Sequence, residues 1–356
     1  MYTIRDVARL ARVSVATVSG VINNKPTVKP KLVQRVKEAM GALDYHPDQV
    51  ARSLRVRRTF TVGMVIADVT NPFFTDVIRG VEQEALSGGY SVILCDTNED
   101  PALERHYLST LFSRRVDGVL LVPTNSDFAQ GKTPKRFPIV LIDRVPPGFT
   151  GPAVITDNFS AAYEGTRHLI ELGHRHIAII TGPLTLSNGL DRLEGFRKAL
   201  QEEHLFLPDE YLQHGDFRSK AGYECGLKLM RLPVPPTAVF SCNNQMTLGV
   251  MRALAEVRVP CPEAVSVLGF DDFEWSAYFR PRLTTIAQPT YEMGRQAMRM
   301  LLRKLQSSPE GDGPADEGRE APLMLKAELR IRDSTAAPNS SCSVRERPEP
   351  AVEVGS

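Results

Sequence analysis

Residues 3–24 read TIRDVARLARVSVATVSGVINN, and the pattern of this stretch sets the architecture of the chain's beginning. Ile4, Val7, Ala8, Leu10 and Ala11 fall on one stripe at helical spacing, with Thr3 placed to cap it. Arg12-Val13 breaks the pattern. Ser14 then caps a second short helix, which turns Val18, Val21 and Ile22 inward and Val15, Ala16, Ser19 and Gly20 outward. A third amphipathic helix opens on Pro30 and aligns Leu32, Val33, Val36, Ala39, Met40 and Leu43. Three such short helices predict a small all-α helix-turn-helix head, a shape whose second helix enters the major groove of DNA.

Charge supports that reading. Residues 1–60 hold 12 Lys or Arg against 4 Asp or Glu, a net +8, whereas the rest of the 356-residue chain carries −7. A basic head on an acidic body suits a phosphate-binding module joined to a domain that does not bind nucleic acid. The length allows two or three domains with cores of their own. The five cysteines (Cys95, Cys225, Cys242, Cys261 and Cys342) are scattered and form no C-x-x-C pair, so free thiols in a reducing compartment are expected and a zinc site is not. No apolar run approaches the ~20 residues of a membrane span. Arg5, Asp6, Arg9 and Arg12 interrupt any export-signal core, so a cytoplasmic location is expected.

D-V-A, V-S and T-V-S at this spacing closely resemble the DNA-binding head of the lac repressor and galactose repressor family of bacterial transcription regulators, and the resemblance runs to about Ser334. It implies DNA contacts at Thr3, Ser14, Val15, Ala16, Thr17, Ser19, Gly20 and Asn23. In the family the position of Gly20 usually carries a longer side chain. Either base readout has passed to Val15 and Ala16, which can meet thymine methyls, or the helix approaches DNA or Arg9 and Arg12 too closely for a side chain. In YHPDQVARSLRVRR, residues 45–58, Pro47 could open a helix over Asp48–Arg55, a length marginal in water. The resemblance implies a hinge helix that pairs with its dimer mate in the minor groove. Leu54 would wedge between base pairs there, and Arg52, Arg55, Arg57 and Arg58 would contact phosphates.

From Phe60 onward, apolar runs such as TVGMVIAD, SVILCD, GVLLVP, PIVLID, IAIITG and VSVLGF alternate with helical patterns, among them 73–87, 159–172 and 245–256. That alternation predicts an α/β body of one or two parallel, doubly wound sheets, with ligand beyond the carboxyl ends of the strands. The polar and aromatic residues at those ends are Asn71, Phe73, Phe74, Asp143, Arg144, Asn188, Arg192, Phe217, Asn243, Asp271 and Gln288. Ring faces beside paired donors and acceptors suit a sugar.

The body is similar to the two-lobed type I periplasmic sugar-binding fold. Most of these residues match the pocket of its ribose-binding members, which implies a ribose-like pentose effector. Purine-responsive relatives carry an arginine where this chain has Leu186. A purine, a nucleoside or a phosphorylated sugar stands as the alternative effector.

Two departures from the family stand out. Asn243-Asn244 replaces the usual Asn-Asp, and Lys29 stands where Ser or Thr would cap the third helix, at a cost of about 1 kcal/mol. The expected layout is a head over 1–46, a hinge over 47–59 and a body over 60–333. Within the body the first lobe takes about 60–156 and 289–322, and the second about 157–288 and 323–333. The acidic 306–322 loop and the 334–356 tail are expected to be disordered, and the tail has no leucine heptads for a tetramerising coiled coil.

Two rivals are an exported sugar-binding protein and a sugar-active enzyme of the same fold. Against an enzyme, no G-x-G-x-x-G follows a strand, no P-loop is present, and no Ser/His/Asp set has the right context. His174 and His176 in GHRHI are expected on a surface turn rather than at a metal. No cofactor is expected. The partners expected are a pseudo-palindromic DNA duplex, a small sugar and a second copy of the chain.

Overall fold

The computed structural model describes residues 2–22, 25–45, 58–124, 137–147, 149–307 and 321–339. The chain divides into two compact units, Met1–Phe60 and Thr61–Ser356. Among the described residues no helix is long and apolar enough to cross a membrane.

In the first unit, helix α1 spans Ile4–Ala11. The Asp6 carboxylate accepts hydrogen bonds from the Thr3 amide at 2.9 Å and the Thr3 hydroxyl at 2.8 Å, so Thr3 caps as its position predicts. Arg12 turns the chain with a left-handed φ of 50°. The Thr17 amide donates to Ser14 Oγ at 3.1 Å and so caps α2, Val15–Ile22. Helix α3, Pro30–Ala42, starts on proline, and Lys29 adds no side-chain cap. Arg35 of α3 reaches back and donates to the Ala11 carbonyl at 2.6 Å, satisfying an end of α1 that has no helical partner. Val7, Ala8, Ala11, Val18, Val21, Val36 and Ala39 form the core.

Two inward and outward assignments change. Leu10 is 51% exposed, because it falls off the stripe formed by Ile4, Val7, Ala8 and Ala11. Gly20 is buried instead of facing out. A Cβ there would lie 2.9 Å from Val28 Cγ2. The segment leading into α3 therefore crowds out a side chain, and the neighbour is Val28 rather than Arg9 or Arg12. Valine is stiff at χ1, so a longer side chain at this position would push Val28 out of its place.

The second unit holds two six-stranded sheets. The first contains β1 (Thr61–Ile66), β2 (Ser91–Asp96), β3 (Gly118–Leu121), β4 (Ile139–Asp143), β5 (Ala153–Thr156) and the late strand β11 (Leu323–Leu325). Their order is β11-β5-β4-β3-β1-β2, parallel throughout. The second contains β6 (Ile177–Thr181), β7 (Leu212–His214), β8 (Ala238–Ser241), β9 (Ser266–Phe270), β10 (Thr284–Ala287) and β12 (Glu328–Arg330). Their order is β12-β10-β9-β8-β6-β7, parallel except for the β10–β12 edge pair.

Strands alternate with helices α4 (Pro72–Ser87), α5 (Pro101–Ser113), α6 (Asn158–Glu171), α7 (Ser187–Glu202), α8 (Ser219–Met230) and α9 (Asn244–Glu256). Helix α10, Thr290–Ser307, returns to the first lobe, where Met293, Ala297, Met298 and Leu301 join its core. The second lobe has its own core, around Phe196, Phe240, Leu268 and Phe270.

Three passages join the lobes, at residues 156–158, 287–290 and 325–328. Because Leu323–Leu325 pairs with β5, the last crossing follows residue 325 rather than 322. Gln306 and Ser307 belong to α10 rather than to a loop. Residues 308–320 and 340–356 lie outside the described residues.

The start of the expected tail is part of the fold. Ser334 is fully buried and its hydroxyl donates to the Val267 carbonyl at 2.6 Å, while the Val267 amide donates to Ser334 O at 2.7 Å. His174, only 1% exposed, holds the next residues down and is not on a surface turn. Its Nε2 lies 2.9 Å from Ala336 O, which can only accept, so Nε2 carries the proton and Nδ1, 2.9 Å from Thr237 Oγ1, accepts. Patterning could not anticipate this, because the partners lie 63 and 162 residues away.

Burial holds the His174 imidazole below its ordinary pKa. The unfolded chain protonates near pH 6.5, while the folded chain resists. Stability that depends on the neutral ring is therefore complete above about pH 6.5 and is lost as pH falls through it. His174→Ala is expected to destabilise the body by about 1–3 kcal/mol, because its partners stay buried. Thermal unfolding between pH 7.5 and 5.5 should show the wild-type midpoint falling faster than that of His174→Gln; parallel slopes would refute the assignment.

Candidate functional site

On the head, the first turn of α2 presents Val15 and Ala16 to solvent, and Thr3 and Ser14 are exposed too. Thr17 and Ser19 are half-buried, and Ser14 and Thr17 share a hydroxyl–hydroxyl bond at 2.9 Å. Arg5, Arg9, Arg12, Lys25, Lys29, Lys31 and Lys37 are all exposed around this small core. The unit therefore offers a short helix edge within a field of positive charge, which suits a phosphate backbone. Gly20 drops out as a contact residue because it is buried. Asn23, Arg52, Leu54 and Arg55, with the expected hinge helix over 48–55, lie outside the described residues.

In the body, all eleven strand-end residues line one pocket between the lobes, joined by Glu99. Sheet topology explains the convergence. Each lobe is wound about its own central strands, and the loops after successive strands empty into the same cleft. From the first lobe come Asn71, Phe73 and Phe74 after β1, Glu99 after β2, and Asp143 and Arg144 at the end of β4. From the second come Asn188 and Arg192 on α7 after β6, Phe217 after β7, Asn243 after β8 and Asp271 after β9, with Gln288 at the crossing after β10.

Several of these side chains also build the frame. Asn71 caps α4, accepting from the Phe73 amide at 3.0 Å, and Phe73 and Phe74 meet edge to face with centroids 4.9 Å apart. Asn243 caps α9 by accepting from Met246 N at 2.8 Å, and donates to the Phe217 carbonyl at 2.8 Å. The Phe217 ring covers Gly182 at the end of β6, where any Cβ would overlap it.

Arg192 is buried over the Phe270 ring, 3.6 Å from its centroid. Its Nε donates to Asn158 Oδ1 at 2.8 Å and its Nη1 to the Cys242 carbonyl at 2.6 Å. Arg144, 2% exposed, donates from Nη2 to Glu99 Oε1 at 2.9 Å. Its Nε and Nη1 have no hydrogen-bond partner among the described residues, although Nε lies 3.8 Å from Asp143 Oδ2.

The lining thus holds three carboxylates against two guanidinium groups, a net −1. Burial pushes the Asp143 carboxyl up to about 6, with Arg144 and Arg192 pulling the other way. Burial also raises Asp271, opposed by Arg192 and by the hydrogen bond from Gln288 at 2.5 Å. Carboxylates only accept, guanidinium groups only donate, and the amides do both, so a molecule with hydroxyls around a ring can pair with all of them. Direct bonds already bridge the lobes: Asn188 to Asp143 at 2.9 Å, the Val145 amide to Ser187 Oγ at 3.0 Å, and Arg218 to the Asn98 carbonyl at 2.9 Å.

Three residues were not picked out as site residues. Glu99 follows a strand end as the others do, in the run T-N-E-D, and the same rule could have found it. Asn158, which orients Arg192, and Asn244, which bonds to Asn71, become visible only when distant segments meet.

Comparison with known proteins agrees with this architecture. Residues 3–48 match the family described as bacterial regulatory proteins, lacI family, and residues 166–335 match a periplasmic binding protein-like domain. The chain is 39% identical over 310 residues to the ribose operon repressor of Escherichia coli strain K12, an alignment covering 86% of this chain and 93% of that protein. It is 38% identical over 317 residues to the HTH-type transcriptional repressor PurR of Haemophilus influenzae strain PittEE, covering 87% and 93%. The crystal structure of the lac repressor dimer bound to operator and an anti-inducer superposes with a TM-score of 0.82 at 27% identity, covering 94% of this chain and 99% of that one. A helix-turn-helix head, a two-lobed body and identity at this level over nearly the whole of a repressor place this chain in the lacI family of bacterial regulatory proteins, as a DNA-binding transcription regulator and not an enzyme.

Proposed function

We propose that this regulator is a cytoplasmic homodimeric repressor that binds a pseudo-palindromic operator and is controlled by a neutral pentose, D-ribose or a close relative, held in the interlobe cavity. The observation that carries the effector class is the charge balance of the lining, three carboxylates and two guanidinium groups. A phosphorylated sugar would bring more negative charge to a site already at net −1. The guanidinium groups are also partly committed, Arg192 to Asn158 and the Cys242 carbonyl and Arg144 to Glu99. Identity does not choose between a ribose and a purine effector, since the two relatives differ by one per cent. Side-chain chemistry favours the pentose. Leu186, buried at the start of α7, offers no donor to a purine carbonyl.

In this reading the sugar adds hydroxyl bridges between Asp143 and Arg144 of one lobe and Arg192 and Asp271 of the other. Binding favours the arrangement in which those groups meet, and the shift in population reaches DNA through residues 47–59. Ser14, Val15, Ala16, Thr17 and Ser19 meet the major groove. The role of Leu54 as a minor-groove wedge rests on the sequence resemblance.

Operator affinity should fall steeply with salt, as phosphate contacts dominate. Leu54→Ala should weaken operator binding and reduce duplex bending while sparing random DNA; equal losses on both duplexes would refute the wedge. Titration calorimetry should detect D-ribose, and Arg192→Ala and Asp271→Ala should each weaken it by about 1–3 kcal/mol per unpaired group while circular dichroism stays unchanged. Heat from a phosphorylated sugar or a purine but from no neutral sugar would overturn the effector class.

The pH dependence has a definite sign. Hydroxyls donate to the ionised Asp143, whose carboxyl titrates at about 6. Affinity should therefore fall as pH drops through 6, approaching about tenfold per unit below it, and Asp143→Asn should abolish the slope.

A further inference from the structure

A second, larger cavity adjoins the effector pocket. Phe73, Asp271 and Gln288 line both. One wall of the outer cavity is the start of α4, with Pro72, Thr75 and Asp76 of the first lobe. The opposite wall carries Asn244 and Trp275 of the second lobe. Asn71 faces only the inner cavity and Asn244 only the outer, and Asn244 Nδ2 donates to Asn71 Oδ1 at 2.7 Å. This hydrogen bond therefore stands in the partition between the two cavities and ties one lobe to the other.

Both amides have fixed orientations. Asn71 Oδ1 also accepts from the Phe73 amide at 3.0 Å, so it presents an acceptor to the second lobe. Asn244 Oδ1 accepts from the Gln245 amide at 2.7 Å, which leaves its NH2 group for Asn71. A carboxylate at 244 would set oxygen against oxygen. It would also add a second negative charge beside Asp271, whose Oδ2 is already 3.4 Å from the Asn244 amide nitrogen. The neutral amide at this position, unusual beside Asn243, is what allows the bond.

We propose that the outer cavity is the approach to the effector pocket and that the Asn71–Asn244 hydrogen bond is its gate. The proposal rests on the reading that the inner cavity holds the effector. The bond uses protein atoms alone and joins the lobes in the closed arrangement that effector binding favours. An effector entering or leaving must wait for it to break. Weakening the gate thus lowers the population of the closed arrangement without effector and speeds the release of bound effector.

The chain's single tryptophan, Trp275, lines the outer cavity and reports the gate directly. In the full-length protein, Asn244→Ala and Asn244→Asp should both make Trp275 more accessible to acrylamide quenching without sugar present. Stopped-flow mixing with D-ribose should show the dissociation rate raised about fivefold in Asn244→Ala, the factor for one neutral hydrogen bond, and more in Asn244→Asp. Unchanged quenching and rates would overturn the proposal. A faster dissociation with unchanged quenching would also overturn it, since Asn244 would then be a contact to the bound sugar. If Asn244→Asp fails to fold, Asn244→Ala decides. If D-ribose does not bind the wild-type protein, the effector reading fails, while the quenching comparison still decides whether this bond holds the lobes together.

Discussion

A guanidinium group buried in a protein interior must have its charge balanced and its N–H groups directed at acceptors, or the fold loses several kcal/mol. Arg192 and Arg144, each 2% exposed, impose that requirement on opposite sides of the cleft. Arg192 is met by Asn158, by the carbonyl of Cys242 at the end of β8 and by the face of Phe270 at the end of β9. One side chain therefore ties together the first turn of α6, the second turn of α7 and two strands of the second sheet. Arg144 is met by Glu99 from the loop after β2, the far edge strand of the same sheet, and by the charge of Asp143. Its remaining N–H groups are buried without acceptors, so the first lobe carries an unmet demand at the place where a polyhydroxylated molecule can supply oxygen.

The backbone around these groups is held in conformations that side chains rarely adopt. Glu99, Asp143, Phe217 and Asp271 have φ of 60°, 71°, 67° and 71°, and all four line the effector pocket. None is glycine, so each costs about 1–2 kcal/mol. The two parallel sheets carry that cost through their cores. The tight turn at each strand end points the side chain into the cleft rather than along the helix that follows.

Contact between the lobes is made by polar side chains: Asn188 with Asp143, Asn244 with Asn71, Ser187 with the Val145 amide, and Arg218 with the Asn98 carbonyl. Hydrogen bonds of this kind are weak enough to exchange with solvent or with a ligand. The cores on either side are apolar and close-packed and do not deform continuously. Rigid lobes with an exchangeable polar seam are the physical basis on which a small molecule can shift a two-state equilibrium.

Much of this was legible in the sequence because its causes are local. Helical spacing and the Thr3, Ser14 and Pro30 starts mark out the head, β-branched runs mark the strands, and the strand-end rule finds eleven of the twelve lining residues. Resemblance extends the same reading to the family. What needed tertiary structure depends on segments far apart in the chain. Gly20 is excluded from the surface by Val28, a residue in the next connection. His174 turns from a turn residue into a buried clamp because Thr237 and Ala336 close on it. Ser334 becomes core rather than tail because it pairs with the main chain of Val267 and Thr284 in the second sheet. Asn244 acquires a role only through Asn71, 173 positions earlier. Periodicity and capping report what a residue does within a few turns of itself. Pairing across a cleft depends on where two separate folding units place their edges, and no local pattern encodes that.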